Sequence, residues 1–225
     1  MSDLKQQNKV DLLALLGLGV LPVSGSLALI YGQMPADWLS TQTATLSLLG
    51  IAPAVMLSVL LRLLADQVPA RFKERLVHLR WSDPLPGGRA HKLVTKDFRL
   101  DPANLSPSVQ PLLNKELSAT ERNAYWYQHI YKPVRDLDAI KNTHRSYLLY
   151  RDATAGVLVA GLLSIIADLF ARGVYGDPIL LPYAYVILVL YFALLIGAAR
   201  NYGNRLVTGA ISSFDEIEAA QGDHR

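Results

Sequence analysis

Residues Leu12–Tyr31 read LLALLGLGVLPVSGSLALIY, an apolar run without a single charged side chain. About 20 such residues, wound as a helix, match the ~30 Å hydrocarbon core of a bilayer. Three further stretches are of similar length and apolar character, with Arg62 and Asp168 near the ends of the first two: Thr43–Ala65, Ala153–Ala171 (ATAGVLVAGLLSIIADLFA) and Ile179–Ala199. The composition agrees. The 225 residues are 51% hydrophobic and 18% charged, below the ~25% charge of a soluble domain, and most of the charge falls between Asp66 and Asp152. The spacing predicts a mainly α protein, with four transmembrane helices and a small cytoplasmic α(+β) domain inserted between helices 2 and 3.

The boundaries follow from the composition shifts. Residues 1–11 form a polar N-terminal segment, 12–65 a first transmembrane hairpin, 66–152 the inserted domain, 153–199 a second hairpin and 200–225 a tail. The first apolar run is too long for a signal-peptide core and lacks a small-residue cleavage site, so it reads as a retained helix. Lys and Arg set the orientation. The segment 66–152 holds fifteen of them, whereas the turns 32–42 and 172–178 together hold only Arg172. The positive-inside rule then places the inserted domain and both termini in the cytoplasm. A net charge of +3 has this topological origin and gives no reason to expect nucleic acid. There is no cysteine, which excludes disulfides, thiolate catalysis and Cys-ligated metal.

Within the spans the readable features are prolines and small residues. Pro22 and Pro53 sit near the middles of spans one and two, where neighbouring groups can satisfy the carbonyls that proline frees. Gly25 lies in span one, and Gly156, Ala160 and Ser164 form two small-xxx-small steps in span three. Such faces permit close helix packing, within a subunit or between subunits. Ionisable residues approach the spans only near their ends, at Arg62, Asp152 and Asp168. That pattern argues against coupled transport, which places charge near the midplane.

In the inserted domain, Val68–Arg80 reads as a basic helix at the headgroups, with Phe72, Leu76 and Leu79 as its apolar positions. Asp83–Gly88 reads as turns, and Arg89–Leu100 as one or two short strands. Ser118–Glu121 fits a capping box. The helix that it opens carries Tyr125, Trp126, Tyr127, His129 and Tyr131, and is expected to end before Pro133. Asp136 can cap a further helix that meets no breaker until Gly156. A single helix of about 35 residues therefore runs from the domain into span three, and a rigid helix of this kind is expected to transmit movement of the domain to the membrane part. Ile140, His144, Tyr147, Leu148 and Arg151 share one of its faces.

No phosphate-binding loop, dinucleotide fingerprint, zinc-protease or nucleophile-elbow motif is present. No two histidines stand at ligand spacing, so neither metal nor cofactor is expected. Arg89, His91 and Lys92, with Lys96 and Arg99, read either as a basic face for an anion or as solvated charge that enforces topology. Together with Tyr125, Trp126 and His129 they are the candidate ligand or partner contacts. His144, Arg145, Arg151 and Asp152 are the candidates for coupling to the membrane part.

The segments LPGGRA (85–90), NAYWY (123–127) and HRSYLLYRD (144–152) resemble a group of uncharacterised four-span bacterial inner-membrane proteins. The resemblance implies a bacterial inner-membrane location and transfers no catalytic residue. In architecture alone the chain also resembles small membrane effectors and sensors of phage-defence systems. Three functions follow as expectations. The first is an oligomeric effector or sensor whose cytoplasmic domain receives a signal or a soluble protein partner. The second is a membrane anchor or assembly subunit that recruits such a partner. The third is a lipid-acting enzyme using Arg62, His78, Arg151 and Asp152. The lipid bilayer is a partner under all three, a homo-oligomer is expected under the first, and nucleic acid under none.

Overall fold

The computed structural model describes residues 8–31 and 57–222, the side chains of 27–31 excepted. In chain order the helices are α1 (Lys9–Tyr31), α2 (Ala70–His78), α3 (Ala90–Val94), α4 (Ala119–Tyr125), α5 (Lys132–Val134), α6 (Asp138–Tyr175) and α7 (Pro182–Gly222). Residues 57–67 are also helical. Single 3-10 turns occur at Pro86–Arg89 and Gln110–Leu113, and a π-helical segment at Trp126–Tyr131. The protein is mainly helical, and the described residues contain no strand.

Among the described residues, three helices are long and apolar enough to cross a membrane: α1 over Lys9–Ser26, α6, and α7. Multi-pass insertion requires helices of this kind. Thr43–Met56, most of the second expected span and the location of Pro53, lies outside the described residues. The chain divides into two compact units, Met1–Lys73 with Leu149–Ile196, and Glu74–Leu148 with Gly197–Arg225.

The first unit packs α1, residues 57–67 and the adjoining parts of α6 and α7 around Leu12, Leu16, Val20, Leu61, Val157 and Leu195. Gly156 and Ala160 belong to this packing: a Cβ on Gly156 would collide with the Leu16 side chain, and Ala160 is buried. Ser164 returns its hydroxyl to the Ala160 carbonyl at 2.8 Å. The opposite faces stay apolar and uncovered, with Leu162, Ile166, Leu169, Val189 and Leu194 all exposed. Helices that are apolar all round suit a hydrocarbon surround. Pro22 lies inside α1. Ser26 donates to the Pro22 carbonyl at 2.9 Å, and Ser24 to that of Leu21 at 3.1 Å.

The second unit corrects several sequence expectations. Residues 89–100 form no strand: they contribute the end of a 3-10 turn and then α3. Ala90 and Val94 are both fully buried, and that four-residue spacing is helical rather than alternating. The aromatic helix does not stop before Pro133. The Lys132 N–H reaches back to the Tyr127 carbonyl, a five-residue π step, and α5 carries Pro133 within it. Proline lacks an N–H and its ring clashes with the carbonyl four residues back; a widened turn ahead of it accommodates both facts. Asp138, not Asp136, supplies the acidic group of the first turn of α6. Asp136 instead pairs with its exposed neighbour Arg135 at 3.4 Å.

The largest difference concerns the expected tail. Residues 200–222 continue α7 and belong to the same unit as 74–148. Leu206, Val207, Ala210 and Ile211 are buried, a helical stripe. Gly203 is no helix end: a Cβ there would lie 3.0 Å from the Tyr147 ring. Further along, Asp215 accepts the Ser106 N–H at 2.7 Å and Glu218 the Ser108 hydroxyl at 2.6 Å.

The expected capping box exists as read, with Ser118 and Glu121 exchanging bonds. Gly87 and Gly88 let the preceding turn approach α4. A Cβ on Gly87 would come within 2.6 Å of Asn123 Oδ1, and one on Gly88 within 2.7 Å of the Ala119 carbonyl oxygen. Arg122, almost wholly buried, donates to the carbonyls of Gly88, Leu112, Asn114 and Leu117 at 2.6–3.1 Å. One guanidinium thus ties the LPGGR turn and the 112–117 loop to α4.

Candidate functional site

Helix α2 ends in a six-to-one closure, in which the Arg80 N–H bonds the Arg75 carbonyl at 3.2 Å while Leu79 adopts a left-handed φ of 48°. This is a Schellman ending with leucine where glycine is usual. Arg200 of α7 caps the same helix end, donating to the Val77 carbonyl at 2.7 Å and the His78 carbonyl at 2.9 Å.

His78 is therefore held where three segments meet within the second unit. Arg89 Nη2 lies 3.0 Å from His78 Nδ1. Since a guanidinium only donates, Nδ1 accepts and the ring proton sits on Nε2, a tautomer assigned from the bonding pattern. His78 Nε2 then faces the Tyr147 hydroxyl at 3.4 Å, and Tyr147 donates to the buried carboxylate of Glu74. Arg89 also reaches Asn204 Oδ1 at 3.3 Å. The result is a directed chain of donors from a cation to an anion, Arg89 to His78 to Tyr147 to Glu74. Burial above all, then the positive charges of Arg89, Arg200 and Arg80, lowers the His78 pKa to about 3. The imidazole is neutral at physiological pH, which the chain requires.

Asn204 leads from this network into a cleft of about 820 Å³. Ala139, Ile140 and Thr143 of α6 form one wall, Asn204, Arg205, Thr208, Gly209, Ser212, Ser213 and Glu216 of α7 another, and the Leu93–Arg99 segment the rim. Asp97 and Arg99 pair at 2.7 and 3.0 Å, and the Arg99 bond, the largest influence, holds the Asp97 carboxyl below its ordinary range. Phe98 is 97% exposed beside them.

The residues singled out from sequence separate into three groups. Of the expected basic face, Arg89 joins the buried chain, Lys96 and Arg99 line the cleft, and His91 and Lys92 lie outside both. The aromatic helix divides: Trp126, Ile130 and Tyr131 are buried, whereas Tyr127 and His129 are exposed. Trp126 is buried with its ring 5.3 Å from that of Tyr131. Tyr125 donates to the Ser108 carbonyl at 2.8 Å and packs on His129 at 4.5 Å. Among the coupling residues, His144 Nδ1 bonds Tyr131 at 2.6 Å and Arg145 is half-buried on α6. In the first unit, Asp152 Oδ1 takes Lys73 Nζ at 3.3 Å and Arg151 Nη2 at 3.0 Å, all three side chains nearly sealed from solvent. Gly25 has open space around it.

Asn204, Thr208, Gly209 and Ser212 of the cleft were not anticipated, because residues 200–225 read as a tail. The spacing of Leu206, Val207, Ala210 and Ile211 was the available signal. Chemically, the second unit holds a buried chain of polar groups beside an open cleft lined by charged side chains. No group of three His or acidic side chains among the described residues could ligate a metal. The chain matches no protein-family model, no curated protein and no solved structure.

Proposed function

We propose that this protein is a bacterial inner-membrane sensor or effector, crossing the bilayer four times with both termini inside and acting as a homo-oligomer. The unit made of 74–148 and 197–222 receives a small ligand or a soluble protein partner, and α6 and α7 carry the response into the membrane part. One observation supports this above all: the two walls of the cleft are segments of the helices that also supply two of the apolar spans. With 38 and 41 residues, these helices extend ~57 and ~62 Å at 1.5 Å per residue, well beyond the ~30 Å of hydrocarbon. The fourth crossing, Thr43–Ala65, and the orientation rest on hydropathy and on the distribution of Lys and Arg. A role in phage defence rests on architectural resemblance.

The test is native mass spectrometry of the full chain released from mild detergent, followed by ion-flux assays in proteoliposomes. A homo-oligomer that conducts when the cytoplasmic unit is engaged is the expected result. A strict monomer with no conductance overturns the reading. The anchor reading is favoured by the uncovered Phe98 and Trp81, 97% and 76% exposed; a stoichiometric soluble partner without conductance would establish it instead.

A further inference from the structure

We infer that the cleft between α6, α7 and the Leu93–Arg99 segment binds a phosphate monoester carrying an apolar or aromatic body. The polar half of the argument is the set of cations. Arg99 is neutralised by Asp97, but Lys96 and Arg205 have no carboxylate partner among the described residues and both are exposed on the lining. The Arg205 guanidinium rests 5.9 Å from the Tyr202 ring centroid, which leaves its edge N–H groups available. Of the two lining carboxylates, Asp97 is occupied by Arg99, and Glu216 accepts the Ser212 hydroxyl at 3.1 Å but keeps its charge, so Lys96, Arg99 and Arg205 outnumber the acidic groups by one. A dianionic tetrahedral group satisfies an ammonium and a guanidinium together, with the Ser213 hydroxyl as a further donor; a single carboxylate has fewer acceptor sites to share between them.

The apolar half is the floor and the mouth. Ile140 is buried beneath the cleft and Leu93 is partly covered. Phe98 presents almost its whole ring to solvent on the same lining, and an apolar ligand body would cover it. The volume of about 820 Å³ falls inside the ~300–1,000 Å³ of small-molecule sites. A soluble nucleotide and a phosphatidic-acid headgroup share this chemistry, and the experiment separates them.

The inference rests on the sensor reading for its consequence only. A ligand that binds and leaves conductance unchanged would break the sensor reading and keep the site, whereas absent binding removes the site and leaves that reading to its own test. Full-length protein in phosphatidylcholine nanodiscs is titrated calorimetrically with adenosine 5′-monophosphate, adenosine and inorganic phosphate, and separately examined for adducts of dioctanoyl phosphatidic acid by native mass spectrometry. Binding of the nucleotide identifies a soluble source and binding of the phosphatidic acid a lipid source; either supports the site. Lys96→Gln with Arg205→Gln is expected to weaken that binding by about tenfold or more, as loss of charge-assisted bonds does. Phe98→Ala is expected to weaken the organic phosphates and leave inorganic phosphate unaffected. Neither organic phosphate binding, equal affinity for inorganic phosphate, or unchanged affinity in the double variant overturns the proposal.

Discussion

Two buried hubs show how differently the two units satisfy charge. In the first unit, Asp168 is 1% exposed and takes every bond from nearby in sequence. It accepts the N–H groups of Ile179 and Leu180, each at 2.8 Å, Arg172 at 2.8 Å and the Tyr185 hydroxyl at 2.5 Å. It is a cap on the turn that leads into α7, and it forms once that hairpin forms. In the second unit, the His78 hub draws on Tyr147, 69 residues away, and through Arg89 on Asn204, 115 residues beyond Arg89. Such a hub exists only when the unit is assembled. A local cap stabilises one turn under all conditions, whereas a distributed network can switch between whole arrangements. The second kind suits the receiving role proposed above for this unit.

Removing Arg122 should break the distributed unit most severely. Arg122→Ala deprives four backbone carbonyls of their donor, and a loss of about 4 kcal/mol is expected. Chemical denaturation in detergent, followed by Trp126 fluorescence, measures it; a loss below about 1 kcal/mol would mean that water replaces the guanidinium. Asp168→Ala should come next, at about 3 kcal/mol, since it strands the two backbone N–H groups of Ile179 and Leu180. Its effect should be confined to the α6–α7 hairpin, so hydrogen exchange should rise at 176–182 while the second unit keeps its protection. Exchange rising equally in both units would erase the distinction drawn here.

Acid should discriminate the hubs as well. The folded pKa of His78, about 3, lies below its ordinary 6.5, so the unfolded chain takes up a proton first as pH falls. The stability that the neutral ring contributes is complete above about pH 6.5 and declines between there and about 3, by up to ~1.4 kcal/mol per pH unit. Unfolding of wild type should steepen with acid over that window relative to His78→Gln; parallel pH profiles would show that His78 is not the titrating group. The smallest effect should be a gain. Leu79→Gly removes the strain of a left-handed leucine that is 63% exposed, and about 1 kcal/mol of added stability is expected. No gain would mean that the Leu79 side chain has a packing role in the membrane-bound protein.

The sequence was most legible where one periodicity or one cap dominates. Three apolar helices, the continuous rod through Tyr147 into the Gly156 region, and the Ser118–Glu121 box were all readable, because each depends on neighbours within a few residues. Misread segments had local signals that pointed elsewhere. Val94, Thr95 and Phe98 suit a strand by composition, yet the burial of Ala90 and Val94 together selects a helix. Pro133 signals a stop, yet a π step ahead of it lets the chain continue. Arg200 follows an apolar span as a closing charge does, yet it caps α2, and Gly203 beyond it makes room for Tyr147.

The candidate site was legible only in fragments. Arg89, Lys96 and Arg99 were seen as a basic set, but nothing in their spacing separates a buried donor to His78 from a cation at a cleft mouth. Their α7 partners lie more than a hundred residues away, beyond the reach of any local pattern. Sequence alone therefore determined which stretches prefer hydrocarbon, because transfer of apolar side chains depends on composition and length. Tertiary structure decided that residues 200–222 join 74–148, that the LPGGR turn serves packing, and that His78 is neutral. Each of these depends on which groups exclude water from one another, and that is set only when distant segments meet.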